Sequence, residues 1–140
     1  MKVLQFNMLF PDYKSVIYYQ VELPHFYKYL HRHDEWQITW VQEGEGTLLA
    51  GNNMHSFAAG DIFLIGANLP HLFKSNPEYF EAKSKKKIKA CSLYFNPKGV
   101  LHSLFGLPEM SSINGFLNNF KHGFKIPKTC AKEISQKILN

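Results

Sequence analysis

The chain has 140 residues, 45% of them hydrophobic and 15% aromatic, which is enough for one domain with its own core and excludes a disordered chain. No apolar run approaches the roughly 18–20 residues of a membrane span, and the first residues, MKVLQFNMLFPDYK, lack the apolar stretch of a signal peptide. The two cysteines, Cys91 and Cys130, lie far apart in unrelated patterns. These features predict a reduced, cytoplasmic protein that does not enter a membrane.

The net charge of +5 comes from one segment of the chain. Five lysines fall within KSKKKIK at residues 83–89, and without them the net charge would be zero. A DNA-binding surface usually spreads its basic residues along a helix or a stripe, whereas this segment lies between two predicted strands. We therefore expect a solvated loop, with a phosphate-contacting patch as the alternative and no DNA contact from these residues.

Short strands predominate in the first two thirds of the chain. Each is rich in β-branched and aromatic residues and is followed by turn residues such as glycine, asparagine or proline. The five clearest segments are SVIYYQVEL, EWQITWVQ, GTLLAG, DIFLIG and IKACSLYF. Strands of this length, at a spacing of roughly 8–12 residues, predict a sandwich or a barrel over residues 1–95.

Helical patterns replace the strands from residue 96 onward. Asn96 and Pro97 suit the N-cap and first position of a helix that ends before Gly106. A second helix starts at Ser111 or Ser112 and places apolar residues at helical spacing before Gly123. These apolar residues are Ile113, Phe116, Leu117 and Phe120.

A third helix is predicted after Pro127, with Thr129 as its N-cap. Its apolar side carries Cys130, Ile134 and Ile138, and the pattern reaches Asn140 without a stop signal. We therefore expect two to three helices packed on the barrel over residues 96–140, in a protein truncated before a further domain.

Three histidines provide a candidate site. His31 and His33 are one residue apart, and alternate residues of a strand point to one face, so both imidazoles can reach the same ligand. The same alternation predicts that Glu35 and Gln37 share this face, and His71 follows a proline-containing turn before a neighbouring strand. Three imidazoles suit zinc, nickel or iron. They also suit a metal-free polar pocket, or simple packing in the core.

Two strands have side chains of interest on both faces. Trp36 and Trp40 take the face opposite the histidines and need a cover, which the C-terminal helices could provide. In the later strand, Ala90, Ser92 and Tyr94 alternate with Cys91, Leu93 and Phe95. The small residues of the first set would leave room for a ligand, but the sequence does not decide which set points inward.

The histidine pattern resembles the two motifs of the cupin superfamily. In this chain the positions of those motifs are held by His31, His33, Gln37, Gly44, Gly60 and His71. The chain departs from the family at Gln37, which stands where metal-dependent members have an acidic ligand, and at Gly66 and Asn68, where a proline and a glycine are usual. The resemblance implies a cupin-like double-stranded β-barrel (jelly roll). A metal, if bound, would take His31, His33, Gln37 and His71.

A longer stretch is similar to the N-terminal, ligand-sensing and dimerisation domain of AraC-type transcription regulators. The matching motifs are HRHDEW at 31–36, EGEG at 43–46, GDIFLIG at 60–66 and NLPH at 68–71, followed by helices like those after residue 96. This resemblance implies a small polar effector bound inside the barrel, with a sugar-like molecule as one candidate. It also implies a homodimer, and DNA contact only through a C-terminal domain outside this chain.

The resemblance also implies which residues serve each role. Ligand-binding candidates are His31, His33, Glu35, Gln37, His71, Ser92 and Tyr94. Dimerisation candidates are Ile113, Phe116, Leu117 and Phe120. We expect no enzymatic activity and no cofactor, and the alternative is a metal-dependent cupin enzyme, of the oxygenase or isomerase type, with a divalent transition metal at the histidines.

Overall fold

The computed structural model describes residues 2–8, 10, 14–119 and 122–139. In chain order its strands are β1 (Leu4–Gln5), β2 (Val16–Leu23), β3 (His31–Arg32), β4 (Trp36–Glu43), β5 (Gly46–Ala50), β6 (Asn53–Phe57), β7 (Ile62–Ile65), β8 (His71–Ser75), β9 (Ile88–Phe95) and β10 (Gly123–Lys125). The helices are α1 (His102–Phe105), α2 (Ser111–Asn119) and α3 (Lys128–Leu139), with 3-10 turns at Pro77–Phe80 and Pro108–Met110. The fold is therefore mainly β with three C-terminal helices, as predicted.

The strands form two five-stranded sheets, in the orders β1-β3-β8-β5-β6 and β10-β7-β4-β9-β2. Phe63 of one sheet meets Phe73 of the other, with ring centroids 5.8 Å apart. The buried cluster around them consists of Val41, Leu48, Ala50, Phe57, Phe63, Ile65 and Phe73. Two mostly antiparallel sheets that face each other across such a core form the predicted cupin-like jelly roll.

Gly46 shows why the EGEG turn needs a glycine at this position. A Cβ atom there would lie 2.1 Å from the carbonyl oxygen of Lys74 on β8, far inside van der Waals contact. Since β5 pairs with β8 in continuous register from Gly46↔Ser75 to Ala50↔His71, the missing side chain is what lets the two strands close at this end.

The strand that carries the histidine motif is interrupted. β3 ends at Arg32 in the first sheet, and β4 begins at Trp36 in the second, so residues 33–35 cross from one sheet to the other. The prediction of a face shared by the histidines, Glu35 and Gln37 assumed an uninterrupted alternation, and this crossing interrupts it. The alternation is valid within β4, where Gln37, Thr39 and Val41 are buried.

The C-terminal region differs from the predicted boundaries. Asn96 does not cap α1, which begins only at His102; instead its side-chain oxygen accepts a hydrogen bond of 2.9 Å from the Lys98 amide in a turn. Gly123 starts the unpredicted strand β10, which pairs with β7, rather than ending α2. In α3 the buried residue is Ala131, while Cys130 is exposed.

The helices cover the outer face of β4, as expected from its tryptophans. Trp36 is buried and its ring lies 6.4 Å from those of Phe95 and Phe116, the latter on α2. Trp40 lies in a groove beside Ala131 of α3. None of the described helices is long and apolar enough to cross a membrane.

The lysine-rich segment lies in the loop before β9. Lys86 makes an ion pair of 2.6 Å with Glu78, and Lys87 pairs with Glu22. These lysines remain about half exposed, so the pairs are screened by solvent and contribute little to stability.

Candidate functional site

A cavity of about 210 Å³ lies between the two sheets, beside the phenylalanine core. Its wall is largely apolar and aromatic, formed by Tyr19, Val21, Leu23, Phe26, Tyr27, Phe73 and Ala90. The remaining lining residues gather the polar groups: His31, Gln37, Thr39, Ser92 and Tyr94. The cavity thus has an extensive apolar wall and a polar region that includes part of the histidine motif.

Strand pairing and one turn bring the three histidines together. His31 of β3 is the register partner of His71 of β8, and their ring centroids are 4.4 Å apart. Asn68 precedes β8 in a left-handed conformation with φ of 60°, which asparagine tolerates better than most residues, and its amide donates a 2.8 Å hydrogen bond to the carbonyl oxygen of His33. The NLPH turn therefore fixes His33 against the start of β8.

Each histidine has its Nδ1 atom against a backbone carbonyl oxygen. The distances are 2.9 Å from His31 to Tyr29, 3.0 Å from His33 to Glu35 and 2.8 Å from His71 to Leu69. A carbonyl oxygen only accepts hydrogen bonds, so all three Nδ1 atoms carry the proton. In the neutral imidazole, Nε2 is then an acceptor, and one nitrogen of each ring lies within 4.8 Å of the other two.

Gln37 connects two of these rings. Nε2 of His33 and Nε2 of His71 lie 3.0 and 3.1 Å from its Oε1 atom. If the Gln37 atom at this position is the oxygen, it can only accept hydrogen bonds. Each ring would then need a proton on Nε2 as well as on Nδ1. Burial, together with the neighbouring histidines, lowers the pKa of His71 to about 3, so its imidazolium form is not the state near neutral pH.

Turning the Gln37 amide over removes this conflict. Its NH₂ group then donates one hydrogen bond to each Nε2 atom, and its oxygen takes the place 2.6 Å from the Thr39 hydroxyl. The orientation of an amide is assigned from its hydrogen-bond partners. In the metal-free protein, the unprotonated Nε2 atom of His71 assigns it in this sense.

The direction of the remaining hydrogen bonds follows from that assignment. Thr39, which is 1% exposed, must donate its hydroxyl proton to the Gln37 oxygen. It can then only accept from Ser92, whose hydroxyl oxygen is 2.8 Å away. A chain of donors thus runs from Ser92 through Thr39 and Gln37 to the two histidines.

The structure decides the orientation of β9. Ala90, Ser92 and Tyr94 line the cavity, whereas Cys91 lies on the other face, where its sulfur contacts the Tyr18 hydroxyl at 3.2 Å. Burial raises the pKa of the Tyr94 hydroxyl, which lies beside that of Ser92. Tyr94 is therefore a neutral phenol at the polar end of the cavity.

Glu35, like His33 and His71, is not among the cavity-lining residues. Because the chain crosses between sheets here, its carboxylate lies behind His33, with Oε1 4.0 Å from Nδ1 of that ring. This oxygen is buried without a hydrogen-bond partner among the described residues, and burial raises the pKa of the carboxyl group. Glu35 therefore lies beside His33 and outside the cavity lining, where it does not touch a ligand.

The three histidines fit a divalent metal ion in two respects. Their Nε2 lone pairs converge, and their Nδ1–H groups are held by backbone carbonyls, as metal-bound histidines commonly are. Gln37 would complete the set with an amide oxygen, which is neutral and a weaker partner than a carboxylate. A metal held there would supply Lewis-acid chemistry.

Three of the predicted dimerisation residues lie on α2. Ile113 is 48% exposed and Phe116 42% exposed, whereas Leu117 is less exposed and lines a groove against the barrel. Phe120 lies outside the described residues. The helix thus offers apolar side chains both to the barrel and to solvent.

Several cavity residues were not predicted from the sequence. Phe26 and Tyr27 belong to the connection between β2 and β3, and Tyr19 and Val21 to β2 itself. The signal available in the sequence was the density of aromatic residues in YYQVELPHFYKY, but it gave no indication of which of them turn inward. Thr39, which also lines the cavity, was not assigned a role from the sequence.

Larger grooves lie outside the sheets, and two of them exceed 600 Å³. One, of about 640 Å³, separates the NLPH turn from α2, and the other, of about 660 Å³, separates the barrel from α3. Neither includes any of the three clustered histidines. The cavity between the sheets is therefore the better candidate for a specific ligand site.

Comparison with known families places the cavity and α2 in one matched region. The AraC-like ligand binding domain family matches residues 14–119. A search of curated proteins finds no match to the chain.

Solved structures of ToxT from Vibrio cholerae have a similar fold. The 1.65 Å P21 form has a TM-score of 0.54 at 16% identity, covering 89% of this chain and 48% of that one. ToxT from strain O395 bound to (E)-4-(8-methylnaphthalen-1-yl)but-3-enoic acid has a TM-score of 0.51 at 16% identity, covering 90% and 48%. A cupin 2 conserved barrel domain protein from Rhodopseudomonas palustris has a TM-score of 0.48 at 17% identity, covering 75% and 74%. The chain spans about half the length of these ToxT structures.

Proposed function

The chain belongs to the AraC-like ligand-binding domain family, and on that premise we propose that it senses a small-molecule effector held between its two sheets. The observation that carries this proposal is the cavity itself: about 210 Å³ of space inside the fold, with an apolar wall and a polar region around His31 and Gln37. Sensing, rather than catalysis, is consistent with a cavity lining whose described residues include no acidic or basic side chain apart from His31.

A solved structure supports a ligand of this kind. ToxT bound to (E)-4-(8-methylnaphthalen-1-yl)but-3-enoic acid shares the fold of this chain and holds a small organic molecule with a large apolar part. The sequence resemblance favoured a sugar-like effector. A sugar needs hydrogen-bond partners around most of its ring, whereas the polar side chains here are gathered at one region of a largely apolar wall, which favours a less polar molecule.

We propose that β4 transmits ligand binding to α2. Gln37 faces the cavity, and its neighbour Trp36 faces outward against Phe116 of α2. A ligand that moves β4 would thus shift the position of α2 against the barrel. The predicted dimer contacts lie on this helix. Such coupling requires that the ligand bind the two arrangements with different affinity. The regulated activity, DNA binding, would reside in a segment that follows this barrel and its helices.

Retention of a small molecule by the purified chain tests effector binding even while the identity of the effector is unknown. The chain is incubated with a metabolite extract of its own source cells and washed, and bound compounds are released by denaturation and identified by mass spectrometry. We expect at least one compound to be retained by the wild type and lost from Val21→Trp, which fills the cavity from the half-buried edge strand β2.

Val16→Trp is the matched control for that experiment, because Val16 is exposed on the same strand and does not line the cavity. It should retain the compound at the wild-type level. Equal retention by wild type and Val21→Trp would contradict an effector site between the sheets.

The converging Nε2 atoms favour one second candidate, a metal-dependent cupin enzyme using His31, His33 and His71. Elemental analysis of tag-free protein separates the two functions. We expect less than about one metal ion per ten chains. A stoichiometric content of iron, nickel, manganese or zinc, surviving dialysis, would support the enzyme instead.

A further inference from the structure

The polar end of the cavity presents hydrogen-bond acceptors. Nδ1 of His31 donates to the Tyr29 carbonyl oxygen at 2.9 Å, which leaves Nε2 as a lone pair with no hydrogen-bond partner among the described residues. Ser92 donates its only hydroxyl proton to Thr39, 2.8 Å away, so towards Tyr94 and the cavity its oxygen can only accept. A ligand that meets both groups must therefore bring hydrogen-bond donors.

The rest of the lining sets the charge and the size of the ligand. The described residues around the cavity include no lysine, arginine, aspartate or glutamate, so an ionised ligand would lose its hydration without gaining an ion pair. An engineered apolar cavity of about 150 Å³ holds benzene. The volume of about 210 Å³ therefore fits one substituted aromatic ring.

Aromatic side chains favour a flat apolar ligand over a compact polar one. Phe26 stacks on Phe73 with ring centroids 5.2 Å apart, and Tyr27 lies against the His31 ring at 5.3 Å. All four of these rings line the cavity. A ring inserted here gains edge or face contacts with several aromatic groups.

We propose that the effector is an uncharged, single-ring aromatic molecule whose hydroxyl or NH group donates a hydrogen bond to His31 Nε2 and lies beside Ser92. This inference rests on the proposed effector-binding function and specifies the ligand class. It applies to the metal-free protein, in which His31 Nε2 is not a metal ligand. A phenol, an anilide or an aromatic amide belongs to the class; a monosaccharide and an ionised acid do not.

Four probes test the class against the whole chain in solution. 4-Ethylphenol has the ring and the donor, 4-ethylanisole has the ring with its donor capped by a methyl group, 4-ethylbenzoate is an anion, and L-arabinose is a polar sugar. Affinities are measured by titration calorimetry at about pH 7.5 with EDTA present, and the site is located by chemical-shift changes of cavity residues. We expect 4-ethylphenol to bind about tenfold more tightly than 4-ethylanisole, since the ether leaves a buried acceptor unpaired.

Two variants connect the preference to His31. His31→Phe keeps a ring against Phe6 and Tyr27 but removes the acceptor, so it should weaken 4-ethylphenol about tenfold while leaving 4-ethylanisole unchanged. His25→Phe is the matched control, because His25 stacks on Phe80 and does not line the cavity. It should bind both probes as the wild type does.

The outcomes separate this inference from the proposed function. The ligand class would be overturned by equal affinity for 4-ethylphenol and 4-ethylanisole. It would also be overturned by a preference for 4-ethylbenzoate or L-arabinose that Val21→Trp abolishes. Either outcome would leave an effector site between the sheets. Failure of every probe would also overturn the class, and the extract experiment on the same protein then reports independently whether the cavity holds an effector.

Discussion

Nε2 of His33, the first residue of the crossing between the two sheets, lies 3.0 Å from the side-chain amide of Gln37 on β4. The same amide also reaches His71 in the first sheet at 3.1 Å. A single neutral side chain thus joins both sheets at the polar end of the cavity. Its identity decides whether the three histidines form a hydrogen-bonded group or a metal site.

Gln37→Glu is expected to convert the cluster into a metal site. The carboxylate adds the charge that an amide lacks, while in the absence of metal it faces two ring nitrogens that are themselves acceptors. The dissociation constants for Ni²⁺ and Zn²⁺ should fall by at least about tenfold relative to the wild type. Competition with a chromogenic chelator measures the change.

Gln20→Glu controls for the added charge, because Gln20 is exposed on β2 and distant in register from the histidines. It should leave metal affinity unchanged. A wild-type protein that already binds these ions as tightly as Gln37→Glu would show that the amide is itself a competent ligand, and would contradict the metal-free assignment.

Thr39→Val is expected to destabilise the fold because hydrogen bonds to the Gln37 amide and to Ser92 are lost, not because packing changes. Valine has nearly the shape of threonine, but it cannot donate to the Gln37 oxygen or accept from Ser92, which lie 2.6 and 2.8 Å from the hydroxyl. Since Thr39 is fully buried, the free energy of unfolding in urea should fall by about 1–2 kcal/mol.

The control for that change is Thr47→Val on β5. Thr47 is partly exposed and its side chain has no hydrogen bond among the described residues, so the variant should stay within about 0.5 kcal/mol of the wild type. Equal effects of the two substitutions would mean that the donor chain contributes nothing to stability.

Much of the site was predictable from residue spacing, and the errors have local causes. His31 and His71 converge because β3 and β8 are neighbours in one sheet, and Gln37 reaches His71 from the facing sheet. The HxH spacing indicates only that the two motif histidines lie together. Glu35 fails because strand alternation holds only within a strand, and the chain leaves its sheet at residue 33. The direction of the hydrogen bonds through Thr39 and Ser92 depends on distances of a few ångströms, which sequence spacing does not contain.

Boundaries in the C-terminal region were harder to predict for a related reason. Gly123 has the sequence context of a helix end, but a Cβ atom there would lie 2.8 Å from that of Ala50, so the glycine instead permits β10 to approach the barrel. In the sequence, a glycine that ends a helix cannot be distinguished from a glycine that allows a close contact between strands. Only tertiary packing separates them.

Acidification is expected to destabilise the chain through His71. Its pKa is about 3 in the fold and near 6.5 when unfolded, so between these values only the unfolded state takes up the proton, and stability falls as the pH drops below 6.5. Burial lowers the pKa of His31 in the same sense. Urea unfolding should show a loss of roughly 1–2 kcal/mol from pH 6.5 to pH 5.5, at up to about 1.4 kcal/mol per histidine.

Two variants isolate this dependence. His71→Gln removes one of the groups and should make the loss between about pH 6.5 and 5.5 distinctly smaller. Glu35→Gln removes a carboxyl whose pKa is raised by burial, which acts in the opposite direction because its folded form takes up a proton more readily. An unchanged slope in His71→Gln would show that this ring is not the source.

Gly46→Ala and Gly115→Ala should change stability in opposite directions. At Gly46 a Cβ atom would lie 2.1 Å from the Lys74 carbonyl oxygen, so β5 and β8 must separate, at a cost above about 2 kcal/mol. At Gly115, inside α2, nothing lies within 4 Å of an added Cβ atom, and alanine should add about 0.5–1 kcal/mol of helix stability. Thermal unfolding of the two variants checks both signs, and a stable Gly46→Ala protein would contradict the close pairing of these strands.

Ile113→Asp is expected to convert a dimer into a monomer if α2 forms the contact between two copies of the chain. Ile113 is 48% exposed on this helix, and a buried carboxylate at an apolar contact is costly, so the dissociation constant should rise by at least about a hundredfold. Light scattering over a dilution series measures the mass.

Ser112→Asp adds the same charge one residue earlier at an exposed position and should leave the dimer intact. A wild-type chain that is monomeric at about 100 μM would instead restrict α2 to covering Trp36, and the effector signal would then have to pass through the α2–barrel contact within one chain.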